Sequence, residues 1–199
     1  METPKQYKNI IFDLGNVLLE WNPRSFLTKL ELPLHFMEVF HSLLWATHDG
    51  GLLSREEVIA KLPEQYDKEV FAYCVNRIAP FLTPIAEMIE TLHEVRRRGY
   101  KVYILSNMPK ELHQELILLH DFFKYFDGEV YSYQVKAIKP QPQIYQVLLQ
   151  NYKLEAHESI FIDDLEGNIR AAKELGIEGI VCKNPAQVRA ELQLLKIID

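Results

Sequence analysis

The stretch Asn9-Ile10-Ile11-Phe12-Asp13-Leu14-Gly15-Asn16-Val17-Leu18 decides how the chain is read. Its Ile- and Phe-rich run predicts a short buried strand, which stops at a carboxylate followed by a polar loop. In an open parallel sheet, ligands bind beyond the carboxyl ends of the strands, so Asp13 stands where chemistry is expected. The same grammar recurs twice. Val102-Tyr103-Ile104-Leu105 runs into Ser106-Asn107, and Ser159-Ile160-Phe161-Ile162 runs into Asp163-Asp164.

Outward from the first strand the apolar spacing turns helical, over residues 23–30, 34–45, 54–62 and 68–79. Ser54 with Glu57 three residues on is a capping-box pattern that starts the third of these helices. His48-Asp49-Gly50-Gly51 before it predicts a turn. Alternation then resumes: a helix over 84–98 ended by Gly99, the strand at 102–105, a helix over 109–119 and a strand over 128–133. A helix over 142–151, the strand at 159–162, a helix over 165–175, a strand over 179–182 and a helix over 185–195 complete the chain. Such alternation predicts an α/β fold, a Rossmann-like parallel sheet with helices on both faces. Residues 1–19 and 84–199 are expected to form this core, and 20–83 a small helical cap. Arg96-Arg97-Arg98 falls in a last helical turn, where cations complement the helix dipole, and reads as a solvated helix end.

Apolar residues make up 48% of the 199 and charged residues 25%, which predicts a folded chain with a sizeable core. The net charge of −6 argues against nucleic acid or an anionic membrane held by bulk electrostatics. Residues 1–5 lack the apolar core of a signal peptide, and no apolar run approaches the roughly 20 residues of a membrane span. Cys74 and Cys182 show no metal or redox spacing and are expected as buried free thiols. A cytoplasmic protein, monomer or homodimer, with a small-molecule partner is the expectation.

If the three strands lie side by side, Asp13, Asp163 and Asp164 concentrate negative charge in one crevice. Hard oxygen ligands of this kind suit Mg²⁺, which leaves room for substrate phosphate. Ser106, Asn107 and the free amides before the helix at 109–119 are good donors to a phosphate oxygen, although a serine there also reads as a helix cap. Lys139, held extended by Pro140, can offset the crevice's charge. Asn168, four residues beyond Asp164, either orients that carboxylate or completes a cap. The seven histidines show no metal-ligand spacing, and no Ser-His-Asp or Cys-His set stands out.

Taken together, these residues resemble the haloacid dehalogenase-like hydrolase superfamily, in the branch with a helical cap between its first two motifs. The four motifs are Phe12-Asp13-Leu14-Gly15-Asn16-Val17, then Leu105-Ser106-Asn107, then Lys139-Pro140 with Pro142 and Tyr145, and finally Ile162-Asp163-Asp164 with Asn168. The wording around Gly15-Asn16-Val17 and Trp21-Asn22-Pro23 is similar to bacterial sugar-phosphate phosphatases of the α-D-glucose-1-phosphate type. The resemblance implies that Asp13 attacks phosphorus and forms an aspartyl phosphate. It implies Mg²⁺ on Asp13, the Gly15 carbonyl and Asp164, with Asp163 in support, and phosphoryl oxygens on Ser106, the Asn107 amide and Lys139. It also exposes a departure: most phosphatases of the family carry a second aspartate, the general acid and base, where this chain has Gly15. A sugar 1-phosphate, with its better leaving group, is compatible with that gap. The competing readings are a catalytically impaired phosphosugar- or metal-binding module and a dehalogenase. Trp21, Asn22, Arg24, His48 and Asp49 are the candidates for reading the leaving group.

Overall fold

A computed structural model describes residues 7–199, so the reading of residues 1–5 lies outside the described residues. Five strands, β1 (Asn9–Phe12), β2 (Lys101–Ser106), β3 (Gly128–Tyr131), β4 (Ser159–Asp163) and β5 (Glu178–Val181), form one sheet in the order β3-β2-β1-β4-β5. Every pairing is parallel. The central strand is the one that ends on Asp13. Phe12 lies opposite Ile104 on one side and Ile162 on the other, so Asp13 emerges level with Asp163 and one residue short of Ser106.

Both faces of the sheet are buried, as a parallel sheet requires. Ile10, Phe12, Ile104, Ile160 and Ile162 enter one apolar cluster, while Ile11, Tyr103, Leu105 and Phe161 enter the other. Between β1 and β2 the chain runs through a set of short helices. These are α1 (Pro23–Lys29), α2 (Met37–Phe40), α3 (Leu43–Asp49), α4 (Arg55–Ala60) and α5 (Lys68–Val75). The remaining helices cover the sheet: α6 (Ala86–Arg97), α7 (Lys110–Leu119), α8 (Ser132–Val135), α9 (Pro142–Tyr152), α10 (Glu166–Glu174) and α11 (Pro185–Leu194). Gly99, at φ +89°, ends α6 as its position implied.

The helices between β1 and β2 pack through aromatic rings. Phe26 and Phe40 meet edge to face at 5.4 Å, Phe36 and Phe71 at 5.2 Å, and Phe40 and Trp45 at 4.8 Å. The segments that lead into and out of this region run side by side. Glu20 N donates to Thr83 O at 2.9 Å and Ile85 N to Leu18 O at 2.9 Å. Farther out, Arg55 pairs with Glu115 of α7 at 2.8 Å, and Ser132 Oγ donates to the Asp49 carbonyl at 2.5 Å.

Several boundaries differ from expectation. The helix expected over 34–45 is broken into a 3₁₀ turn at Leu34–Phe36, α2 and α3. Ser42 causes the break: its hydroxyl donates to Val39 O and caps α3 by accepting from Trp45 N, so side chain competes with backbone. His48 and Asp49, expected in a turn, form the last turn of α3. The helix over 68–79 stops at Val75, and the strand over 128–133 stops at Tyr131, where Ser132 starts α8. The Ser54–Glu57 capping box is present in both directions. Among the described residues no helix is long and apolar enough to cross a membrane.

Candidate active site

Where β1, β2 and β4 end, a cavity of about 360 Å³ opens against the helices α2 and α3. Asp13, Gly15, Ser106, Asn107, Lys139, Asp164 and Asn168 all line it. Three carboxylates meet there: Asp13, Asp163 and Asp164 each offer an oxygen, all within 4.8 Å of one another. Carboxylates so close demand a cation.

Lys139 supplies one positive charge. Its side chain is buried, with Nζ 2.8 Å from Asp13 Oδ1, 2.7 Å from Asp163 Oδ2 and 3.0 Å from the Leu105 carbonyl. Burial alone would push its pKa down, but the charges of Asp13 and Asp163 outweigh this and hold it above the ordinary lysine value. Asn107 fixes the lysine backbone from both sides, its Oδ1 accepting from Lys139 N at 2.8 Å and its Nδ2 donating to Lys139 O at 3.1 Å. The Asn107 side chain is thereby committed, which leaves its backbone amide as the group able to face a ligand.

Asp163 is fully enclosed. Besides Lys139 it accepts from Leu165 N at 2.8 Å and from Asn168 Nδ2 at 2.9 and 3.0 Å. Asn168 therefore orients Asp163 and not Asp164, the carboxylate anticipated from spacing. The cause is the turn at Asp164-Leu165, which brings the first turn of α10 back over the end of β4. Tyr145 Oη donates to the Asn168 carbonyl at 2.9 Å and anchors that turn to α9.

Asp164 is half-buried and held by a residue that sequence reasoning did not single out. Asn16 Nδ2 donates to Asp164 Oδ2 at 2.9 Å, while Asn16 Oδ1 accepts from Trp21 N at 3.1 Å. Asn16 sits at φ +54°, a region asparagine tolerates better than most residues. Burial raises the pKa of Asp164, with the Asn16 bond opposing.

Asp13 is raised to about 6, first by burial, with Lys139 opposing and the charge of Asp163 adding. Its Oδ1 is buried with the Lys139 ammonium, 2.8 Å away, as its one charge partner. An oxygen of this kind, beside two further carboxylates, fits a divalent cation. Ser106 is buried as the last residue of β2 and is not a helix cap, since α7 begins four residues later behind Pro109.

The opposite wall carries Trp21, Phe40, His41, Trp45, Leu82 and Asp49. Of the five candidates for reading a leaving group, Trp21 and Asp49 line the cavity. Trp21 also packs on Phe26 and Phe40. Asn22 instead caps α1 by accepting from Ser25 N at 3.0 Å, and His48 is buried with Nδ1 3.0 Å from the Leu53 carbonyl. Arg24 is exposed outside the cavity. Asp49 is pushed up to about 8, mainly by burial, with the charge of Asp13 adding and Lys139 opposing. Phe40, His41 and Trp45 were missed because the break at Ser42 re-aims them. Arg96 and Arg98 lie away from this site, exposed at the end of α6 and paired with Asp127 and with Glu94 and Asp199. Cys74 and Cys182 are buried and free.

Known proteins match the chain along most of its length. The chain is 27% identical over 192 residues to a sesquiterpene phosphatase of Aspergillus oryzae, covering 95% of this chain and 96% of that protein. It is 32% identical over 178 residues to a phosphorylated carbohydrates phosphatase of Thermotoga maritima, covering 86% and 82%. Some other relatives are longer proteins, of which the chain spans between 19% and 35%. A family enzyme of Bacteroides thetaiotaomicron, solved in complex with magnesium and inorganic phosphate, shares the fold at a TM-score of 0.70 with 24% identity, over 89% of this chain and 94% of that one. The description haloacid dehalogenase-like hydrolase matches residues 7–176, and the chain belongs to that family.

Proposed function

We propose that this hydrolase is a Mg²⁺-dependent phosphatase of small phosphorylated metabolites, acting through a phosphoryl group carried on Asp13. The observation that carries the reading is Lys139, buried between Asp13 and Asp163 in a crevice that also collects Asp164. Asp13, Asp164 and the Gly15 carbonyl would hold the metal. Asp163 serves mainly by fixing Lys139, since four donor contacts already occupy its oxygens. When bound, Mg²⁺ neutralises phosphate charge and lowers the repulsion between phosphate and carboxylate.

Asp13 attacks phosphorus in line with the ester oxygen. Lys139, the Ser106 hydroxyl and the Asn107 amide hold the equatorial oxygens as charge develops. Residues 20–83 act as the cap that closes over the leaving group, and the core comprises residues 1–19 and 84–199. A sugar phosphate, such as a sugar 1-phosphate, is the leading substrate class, in line with the carbohydrate phosphatase among the relatives. A second reading has its own support: the wall of Trp21, Phe40, Trp45 and Leu82 suits an apolar alcohol, and one relative is a sesquiterpene phosphatase. Free Cys74 and Cys182 fit a reducing, cytoplasmic setting.

The test is phosphate release from a panel of sugar 1- and 6-phosphates, glycerol phosphate, prenyl monophosphates and p-nitrophenyl phosphate, with Mg²⁺ and with chelator. Metal-dependent release that Asp13→Asn abolishes supports the reading. Metal binding without turnover across the panel would favour the impaired binding module, and metal-free halide release from a haloacid would favour a dehalogenase.

A further inference from the structure

Gly15 leaves the proposed phosphatase without a proton donor two residues beyond Asp13, and the cavity contains one carboxyl outside the metal-competent cluster. We infer that Asp49, reaching the cavity from the end of α3, is the general acid and base of the reaction. The inference rests on the phosphatase reading above.

The placement of Asp49 is built rather than incidental. Its backbone carbonyl accepts from Ser132 Oγ at 2.5 Å, and the same Oγ accepts from Met108 N at 2.9 Å. Lys136 Nζ also donates to the carbonyl of Gly51. The last turn of α3 is thus tied to the loop that follows β2, the loop carrying Asn107. Among the described residues no hydrogen bond or ion pair engages the Asp49 carboxylate, although it lines the cavity with Asp13. A capping or bridging role would use those oxygens, whereas a proton carrier keeps them free. The groups that act on it are Asp13, whose charge favours the protonated form, and Lys139, whose charge opposes it. Its elevated pKa fits a carboxyl that carries a proton near neutrality.

The chemistry balances without a co-reactant. An Asp13 oxygen forms a bond to phosphorus while the bond from phosphorus to the ester oxygen breaks. That oxygen keeps the electron pair and takes the Asp49 proton, leaving as the alcohol. Water then attacks the phosphoryl group on Asp13 and gives its proton to the Asp49 carboxylate. Inorganic phosphate departs, and both aspartates return to their starting states.

The decisive experiment compares leaving groups. With native protein and Mg²⁺, single-turnover rates are measured on p-nitrophenyl phosphate, whose leaving group needs no proton, and on the alkyl phosphate the native chain hydrolyses fastest. Asp49→Asn is expected to slow the alkyl ester by about 10² to 10⁴ and release of p-nitrophenolate in the first turnover by less than about tenfold. Asp13→Asn should stop both. A Cβ at Gly15 meets only Trp21 Cβ, at 3.7 Å, which is ordinary contact. Gly15→Asp placed in the Asp49→Asn background is therefore expected to restore at least a tenth of the alkyl rate, which a folding defect would not allow. Equal losses on both esters, or no loss on either, would overturn the role of Asp49. If the native chain hydrolyses no phosphate ester, the phosphatase reading fails and takes this inference with it.

Discussion

Replacing Lys139 with Met removes the cation that lies 2.8 Å from Asp13 and 2.7 Å from Asp163 while keeping most of the side-chain volume. Two carboxylates, 7% and 0% exposed, then face each other with no counter-charge. Removing one partner of a buried ion pair costs about 3–5 kcal/mol, because the remaining charge stays buried. The Leu105 carbonyl also loses a donor. At about 2–4 °C per kcal/mol for a domain of this size, the melting temperature should fall by roughly 6–20 °C at pH 7.5 in the presence of chelator. The deficit should shrink toward pH 5. Asp13 already holds its proton up to about 6 with Lys139 opposing, and without Lys139 it binds a proton that the unfolded chain, titrating near 4, has released, so stability declines as pH rises. Saturating Mg²⁺ should recover part of the loss, by about 2.7 kcal/mol at a hundred times its dissociation constant. Urea unfolding at pH 5 and 7.5, with chelator and with Mg²⁺, measures all three. A loss under about 1 kcal/mol at pH 7.5 would refute the claim that Lys139 neutralises this cluster.

Asn168→Ala withdraws both side-chain bonds to Asp163 and should destabilise the chain by about 1–3 kcal/mol in urea unfolding, with phosphatase turnover falling as Lys139 loses its anchor. Asn16→Ala frees Asp164, and calorimetric titration should show Mg²⁺ affinity weakened about 10- to 100-fold. Asp49→Asn should melt at or above the native temperature, with a gain that grows from pH 5 to pH 8. Native Asp49 keeps its proton up to about 8 while the unfolded chain loses it near 4, so the native state alone is penalised as pH rises. Parallel melting curves whose separation does not change with pH would count against that raised pKa.

The strands and most helices were legible because each is a local pattern. The runs ending at Asp13, Ser106 and Asp163 are apolar enough to be buried on both faces, and Gly99 and the Ser54–Glu57 box mark helix ends by backbone chemistry alone. Two of the misread stretches share one cause. At Ser42 and Ser132 a hydroxyl found partners that periodicity does not reveal, and a helix broke or a strand stopped. The same limit governs the site.

By itself the sequence determined which residues carry charge or donors at strand ends: Asp13, Ser106, Asn107, Asp163, Asp164 and, before Pro140, Lys139. Only the tertiary structure decided how they are partnered. Lys139 settles between Asp13 and Asp163, Asn168 turns to Asp163 and Asn16 holds Asp164, through contacts that span from 5 to 148 residues of chain. It also decided that Asp49, written as a turn residue, ends a helix over the cavity. The physical reason is that strand register and helix packing set distances between side chains remote in sequence, and ion pairs and hydrogen bonds depend on those distances within a few tenths of an ångström.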